Sequence, residues 1–129
     1  MAASPSFIGT PRLAVVNVAA ANTAIDGTGT ITTLIAGVAA GTRVLEVRAK
    51  AAATTAAGVV NLFVSTDSGT TWRLLDAIPV TAVTPSATAD SWEDLVLFDN
   101  LILAGTTHWL GVTTTIAQSI NVIAMGGDL

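Results

Sequence analysis

The sequence contains no cysteine, one histidine and charged side chains at only 11% of its 129 positions. Without cysteine, neither a disulfide framework nor a thiolate metal site can form. Globular domains ordinarily carry roughly 25% charged residues, so the surface of this chain must be largely neutral. A large, neutral and mildly apolar surface is typical of a protein that its neighbours cover in an assembly.

Positive charge is also scarce, with five Lys and Arg against nine Asp and Glu and a net charge of −4. Nucleic-acid binding needs a basic surface that neutralises phosphates, so we expect no nucleic-acid partner. The longest stretch without Asp, Glu, Lys or Arg, Asn100–Gly127, is broken by polar residues every few positions. A spanning helix needs about 20 predominantly apolar residues. We therefore expect no membrane segment.

The beginning of the chain partly resembles a signal peptide, because Arg12 precedes the apolar run Leu13–Ala21. Pro5, Pro11 and Asn17 interrupt that pattern, and the same spacing suits a β-strand. The strand interpretation is favoured, and with it synthesis in the cytoplasm. The two prolines also predict an extended N-terminal arm over residues 1–11, because proline cannot donate to a regular strand ladder.

Apolar residues in the remainder alternate with polar ones or form runs of four to eight, and helical periodicity is almost absent. About eight short strands at 8–12-residue spacing are typical of an antiparallel sandwich. We therefore predict an all-β fold, a jelly-roll-like β-sandwich, as a single domain over residues 12–129. The strands Arg43–Lys50 and Val59–Ser65 are predicted to face the core through Leu45, Val47 and Ala49 and through Val60, Leu62 and Val64.

Three other segments carry specific predictions. Thr71–Leu75 and Ala77–Val83 are predicted as separate strands, the second at a sheet edge because Pro79 lacks a donor. A turn at Asp99–Asn100 is predicted between Ser91–Phe98 and Leu101–Leu103. The alanine-rich stretch Ala51–Ala57 is interpreted as a loop rather than a short helix, because Thr54, Thr55 and Gly58 oppose helix formation.

The segment Ser65–Trp72 fits the pattern S-x-D-x-G-x-T-W and resembles the Asp-box of sialidase-like β-propellers. In that family the box is a structural hairpin and not the catalytic site. Asp67 is predicted to accept backbone N–H groups across the turn, Gly69 to adopt positive φ, and Trp72 to be buried. A propeller needs at least four blades of four strands, which 129 residues cannot supply.

Other residues with chemical potential do not form a recognised motif. Four carboxylates surround Trp92, namely Asp90, Glu93, Asp94 and Asp99. They could bind Ca²⁺ or act in glycoside hydrolysis, but EF-hand spacing is absent and solvated loop charges are the favoured interpretation. His108 has no family-type motif around it, although a base needs a nucleophile and an orienting acid; a pH-sensing role at an interface is the alternative.

Trp72, Trp92 and Trp109 could form a sugar-stacking platform, but burial in a core or an interface is favoured. The sequence therefore predicts no catalytic residue, no cofactor-binding residue, no metal ligand and no cofactor, so the protein is not expected to be an enzyme.

The order of segments in residues 40–129 resembles that of small structural proteins of tailed bacteriophages. The matching segments are Val59–Val64, Trp72–Val80, Val83–Thr88, Leu101–Gly105 and Asn121–Asp128. The resemblance implies a virion component, a cement or decoration protein on the outside of the capsid. It also implies the major capsid protein as partner and a homo-oligomer, with a trimer favoured because capsid lattices have local three-fold axes. The alternatives are a tail- or fibre-associated virion domain and a carbohydrate-binding module.

Overall fold

The computed structural model describes residues 9–129, and these residues form eight β-strands without an α-helix. The all-β prediction is confirmed. The strands are Thr10–Val18 (β1), Thr32–Ala36 (β2), Thr42–Ala51 (β3), Gly58–Ser65 (β4), Arg73–Val80 (β5), Glu93–Leu103 (β6), Trp109–Thr114 (β7) and Ile120–Asp128 (β8). Across residues 9–129 there is no helix of the length and apolarity that crossing a membrane requires.

Two four-stranded antiparallel sheets form the sandwich, in the orders β1-β8-β3-β6 and β2-β7-β4-β5. We call them the first and the second sheet. Each strand pairs with the one that mirrors it along the chain: β1 with β8, β2 with β7, β3 with β6 and β4 with β5. A long hairpin that wraps over itself produces this pairing, which is the jelly-roll arrangement. The predicted fold class is therefore confirmed.

The core lies between the two sheets. Val47 and Ala49 of β3 and Val60 and Leu62 of β4 are fully buried there, as predicted. Leu45 was predicted to join them, but it is 39% exposed. The reason is a bulge between Val44 and Glu46, where the register shifts against both neighbouring strands. A bulge adds one residue to a strand and reverses the alternation beyond it, so Val44 occupies the buried position instead.

The N-terminal boundary of the domain also differs from the prediction. Strand β1 begins at Thr10, and Pro11 lies opposite Gly127 of β8. An edge strand accepts proline where the missing N–H would not be needed for pairing, and β1 lies at the edge of the first sheet. Residues 1–8, the remainder of the predicted arm, lie outside the described residues.

Two predicted interruptions are absent from the described strands. Thr71–Leu75 and Ala77–Val83 were predicted separately, but Arg73–Val80 is one strand; its predicted position at a sheet edge is confirmed. The turn predicted at Asp99–Asn100 is wrong, because both residues lie within β6. They face the β3 bulge, where the Arg43 guanidinium donates to the Asp99 carbonyl (2.7 Å).

The alanine-rich segment Ala51–Ala57 is a loop after the first residue, as predicted. Backbone hydrogen bonds in both directions between Thr55 and Val83 tie it to the loop that follows β5.

Candidate binding face

The outer face of the first sheet carries large apolar side chains in register on neighbouring strands. Leu13 of β1 lies opposite Met125 of β8, and Val15 lies opposite Ile123. On the other side of β3, the register continues these two rows to Leu97 and Leu95 of β6. Because residues of one parity share one face of a sheet, these side chains form a single surface. We call it the apolar face, defined by Leu13, Val15, Ile123, Met125, Leu95 and Leu97.

Solvent reaches much of this face. Leu13 is 68% exposed, Val15 56% and Leu97 70%. Of the nine large hydrophobic residues that are exposed within residues 9–129, five lie on the strands of the first sheet: Leu13, Val15, Leu45, Leu97 and Ile102. Isolated exposed hydrophobics are common on proteins, but here two apolar groups share one sheet face, on either side of Glu46 and Arg48. Exposed apolar patches of this kind are candidate binding surfaces.

Charges on the apolar face are paired with each other. Arg48 lies between its two halves and contacts Glu46 at 3.1 Å and Glu93 at 3.3 Å. The Glu46 carboxylate, through a hydrogen bond and its charge, raises the pKa of Arg48. Lys50 contacts Asp90 at 2.7 Å in the polar region beyond. The face therefore presents little net charge in its centre.

The four carboxylates around Trp92 do not converge on a metal site. Asp90 and Glu93 pair with cations of β3, and Asp94 accepts the backbone N–H of Leu95. Within residues 9–129, no three His, Asp or Glu side chains are grouped so that they could hold a metal ion. The Lys50 ammonium, by its hydrogen bond and charge, lowers the pKa of Asp90.

The Asp-box segment is a hairpin, as the pattern predicts. The Asp67 carboxylate accepts the Thr71 backbone N–H at 2.8 Å and the Ser65 hydroxyl at 2.8 Å. These hydrogen bonds lower the pKa of Asp67, the backbone one most. Gly69 has φ of +82°, and Trp72 is buried. Asp67 is therefore a structural residue that connects β4 to β5.

The hairpin and the loop before β2 cover the outer face of the second sheet. Phe63 of β4 points to this side and is fully buried, outside the central core. It lies opposite Gly111 of β7. A Cβ atom built on Gly111 would lie 2.7 Å from Ile31 and 2.8 Å from the Trp72 ring. Ile31 and Trp72 thus lie directly over the sheet, and we call Phe63, Trp72 and Ile31 the outer cluster.

The three tryptophans do not share an exposed platform. Trp72 belongs to the outer cluster, whereas Trp92 packs in the central core. Trp109 is partly exposed, lies beside Gly69, and donates its indole N–H to the Thr106 carbonyl at 2.9 Å. The sugar-stacking hypothesis needed exposed rings on one surface, and burial of two of the three removes that arrangement.

His108 does not form part of a triad in the described residues. Its Nδ1 is buried and has no hydrogen-bond partner there, so no carboxylate orients the ring through that nitrogen. The open clefts in residues 9–129 include one of about 570 Å³ beside residues 85–91 and one of about 380 Å³ beside residues 17–22. Asp90 is the one ionisable side chain that lines either of these two clefts, and its carboxylate forms an ion pair with Lys50.

No protein-family model matches the chain, and no curated protein matches it either.

The residues of the apolar face were not singled out in the sequence. The available signal was the alternation Leu13-Ala-Val15 in β1 and Ile123-Ala-Met125 in β8. The alternation shows that one face is apolar, but only the pairing of first and last strands brings the two segments together.

Proposed function

We propose that this chain is a viral structural protein, a cement or decoration protein whose apolar face binds the major capsid protein of a tailed-phage head. The observation that carries the proposal is the exposed apolar face, whose two halves are separated by the paired charges of Glu46 and Arg48. A cement protein needs no chemistry, because it stabilises a shell by burying apolar area, and many modest contacts act together. The fold itself is neutral evidence, since jelly rolls occur in both capsid and lectin proteins.

The geometry favours the apolar face over the rest of the described surface. The accessible surface of the chain is 6630 Å², and a specific interface removes about 800 Å² from each partner. One face of a four-stranded sheet with strands of about nine residues offers an area of this order. The centre of the outer face of the second sheet, at Gly111, is already covered by Ile31 and Trp72.

Co-sedimentation with heads assembled without this protein tests the proposal. Leu97→Lys places a charge at the most exposed position of the apolar face, and we expect it to weaken binding by about tenfold or more. Leu74→Lys is the matched control, because Leu74 lies on the outer face of the second sheet and is 43% exposed. It should bind as the wild type does.

Failure of the wild type to sediment with heads at low and at high salt would refute the proposal. So would loss of binding in Leu74→Lys with retention in Leu97→Lys. The salt dependence also distinguishes apolar from electrostatic binding, because high ionic strength screens charge pairs but does not weaken an apolar contact. Electron cryomicroscopy of the particle distinguishes the capsid surface from a tail or fibre position.

A further inference from the structure

The four edge strands of the sandwich differ in how they discourage pairing with another chain. Strand β2 has five residues and a bulge between Thr33 and Ile35. Strand β5 contains Pro79 and two charges, and β6 carries three carboxylates, Glu93, Asp94 and Asp99. Short length, bulges, proline and charge are the devices that protect exposed edges.

Strand β1 lacks these devices over most of its length. Its residues Leu13–Val18 contain no charge, proline or glycine. All nine residues of β1 pair with β8 without a register shift, so the strand is regular. Its one charged side chain, Arg12, is held within the chain by the Ala36 carbonyl (2.8 Å) and by Asp128 (3.3 Å). Unpaired N–H and C=O groups along a regular edge select an extended strand as partner.

We propose that β1 pairs with β1 of a second copy of this chain, antiparallel and about a two-fold axis at Ala14. A two-fold axis makes two identical strands antiparallel, and the contact is then self-complementary. Ala14 is the midpoint of Thr10–Val18, so this register places all nine residues of both strands opposite one another. Pro11, which has no N–H to donate, lies near the end of the ladder opposite Asn17. It places Leu13 of one copy opposite Val15 of the other, and it keeps the two Arg12 side chains apart.

Charge favours this edge over the opposite one. Two β6 strands related by a two-fold axis would bring six carboxylates together, because each carries Glu93, Asp94 and Asp99. Like charges on directly opposed strands are destabilising. Two β1 strands bring together only apolar, hydroxyl and amide side chains beside the restrained Arg12.

The pairing joins two first sheets into one sheet of eight strands. The rows Leu13–Met125 and Val15–Ile123 of one copy continue into those of the other, so the apolar face doubles in width. This consequence rests on the proposed function, since a wider face binds a shell more strongly. The contact itself does not, and it is tested without heads. It is also two-fold, so it predicts a dimer in place of the trimer expected from the sequence.

Sedimentation equilibrium and light scattering of the full chain, at concentrations up to about 1 mM, test the pairing. We expect a species of twice the 13.0 kDa of one chain to accumulate as concentration rises. Val15→Lys puts two ammonium groups near the axis and should raise the dimer dissociation constant by about tenfold or more. Leu97→Lys is the matched control, because it changes an exposed apolar residue on the opposite edge of the same sheet. It should dimerise as the wild type does but bind heads more weakly.

Single cysteine substitutions determine the register, because the chain has no cysteine of its own. Directly opposed residues in an antiparallel pair have Cα atoms about 4.5 or 5.5 Å apart, within the range that a disulfide spans. Ala14→Cys should therefore cross-link rapidly under oxidation, and Leu97→Cys should not. A monomer at all concentrations, a trimer that Val15→Lys leaves intact, or faster cross-linking at position 97 would overturn the proposal.

Discussion

The two sheets share one core but differ on their outer faces. On the second sheet, Trp72 and Ile31 cover Gly111 and leave Phe63 without solvent contact. On the first sheet, Leu13 and Leu97 stay more than two thirds exposed. Within residues 9–129, the chain thus covers the centre of one outer sheet face with its own loops and leaves the other face open. The proposed function accounts for this difference, because a capsid protein would cover the open face.

The largest expected change in stability comes from truncating one side chain on each face. Trp72→Ala removes the ring that covers the second sheet, and truncation of a buried aromatic costs about 3–5 kcal/mol of unfolding free energy. Leu97→Ala removes apolar atoms from the uncovered face and should change the unfolding free energy by no more than about 0.5 kcal/mol. Urea denaturation monitored by circular dichroism measures both. Equal losses in the two variants would show that the faces do not differ as described.

A smaller effect is expected where the outer cluster meets the sheet. Gly111→Ala places a Cβ atom 2.7 Å from Ile31 and 2.8 Å from Trp72, and overpacking of this kind costs about 1–3 kcal/mol. Gly105→Ala is the control, because its Cβ would meet only His108, at 3.8 Å. Thermal denaturation should show a clear decrease for the first and almost none for the second. A neutral Gly111→Ala would mean that the cover over the second sheet is loose.

The covered face also shows where sequence reasoning succeeds and where it ends. Asp67, Gly69 and Trp72 act within eight residues of one another, and their roles followed from local hydrogen bonding and backbone conformation. Phe63 was not assigned to a core, because the predicted alternation in β4 left it facing solvent. Phe63 lies opposite Gly111 of β7, 48 positions away, and Ile31 and Trp72 lie over Gly111. No local pattern contains that arrangement.

The uncovered face shows the same limit at longer range. The strands and the sandwich followed from apolar alternation, but the position of Leu45 did not, because a one-residue bulge reversed the parity beside it. Pairing of Leu13 with Met125 joins the two ends of the chain. The register between distant strands is decided by the packing of the whole core, so the apolar face was visible in the sequence only as separate fragments.

The smallest predicted effect is on stability at low pH. It concerns two carboxylates, Asp67 in the hairpin over the second sheet and Asp90 beside the first sheet. The pKa values of Asp67 and Asp90 are both lowered in the folded protein, so each stabilises it above the unfolded value of about 3.9 and ceases to do so as pH falls through the folded value. The melting temperature should therefore decrease below about pH 4, and less steeply in Asp67→Asn or Asp90→Asn.

Salt then separates the two carboxylates. The Asp90 side chain is 83% exposed, and its pKa is lowered by a hydrogen bond from Lys50 and by the Lys50 charge; about 1 M salt screens the charge of this exposed pair strongly. Asp67 is held chiefly by the backbone N–H of Thr71, so its contribution should persist in salt. Melting curves of the wild type and both variants at low and high salt measure this. An acid slope in Asp67→Asn as steep as in the wild type at high salt would show that the hairpin carboxylate is not linked to stability, and would leave Trp72 held over the second sheet by packing alone.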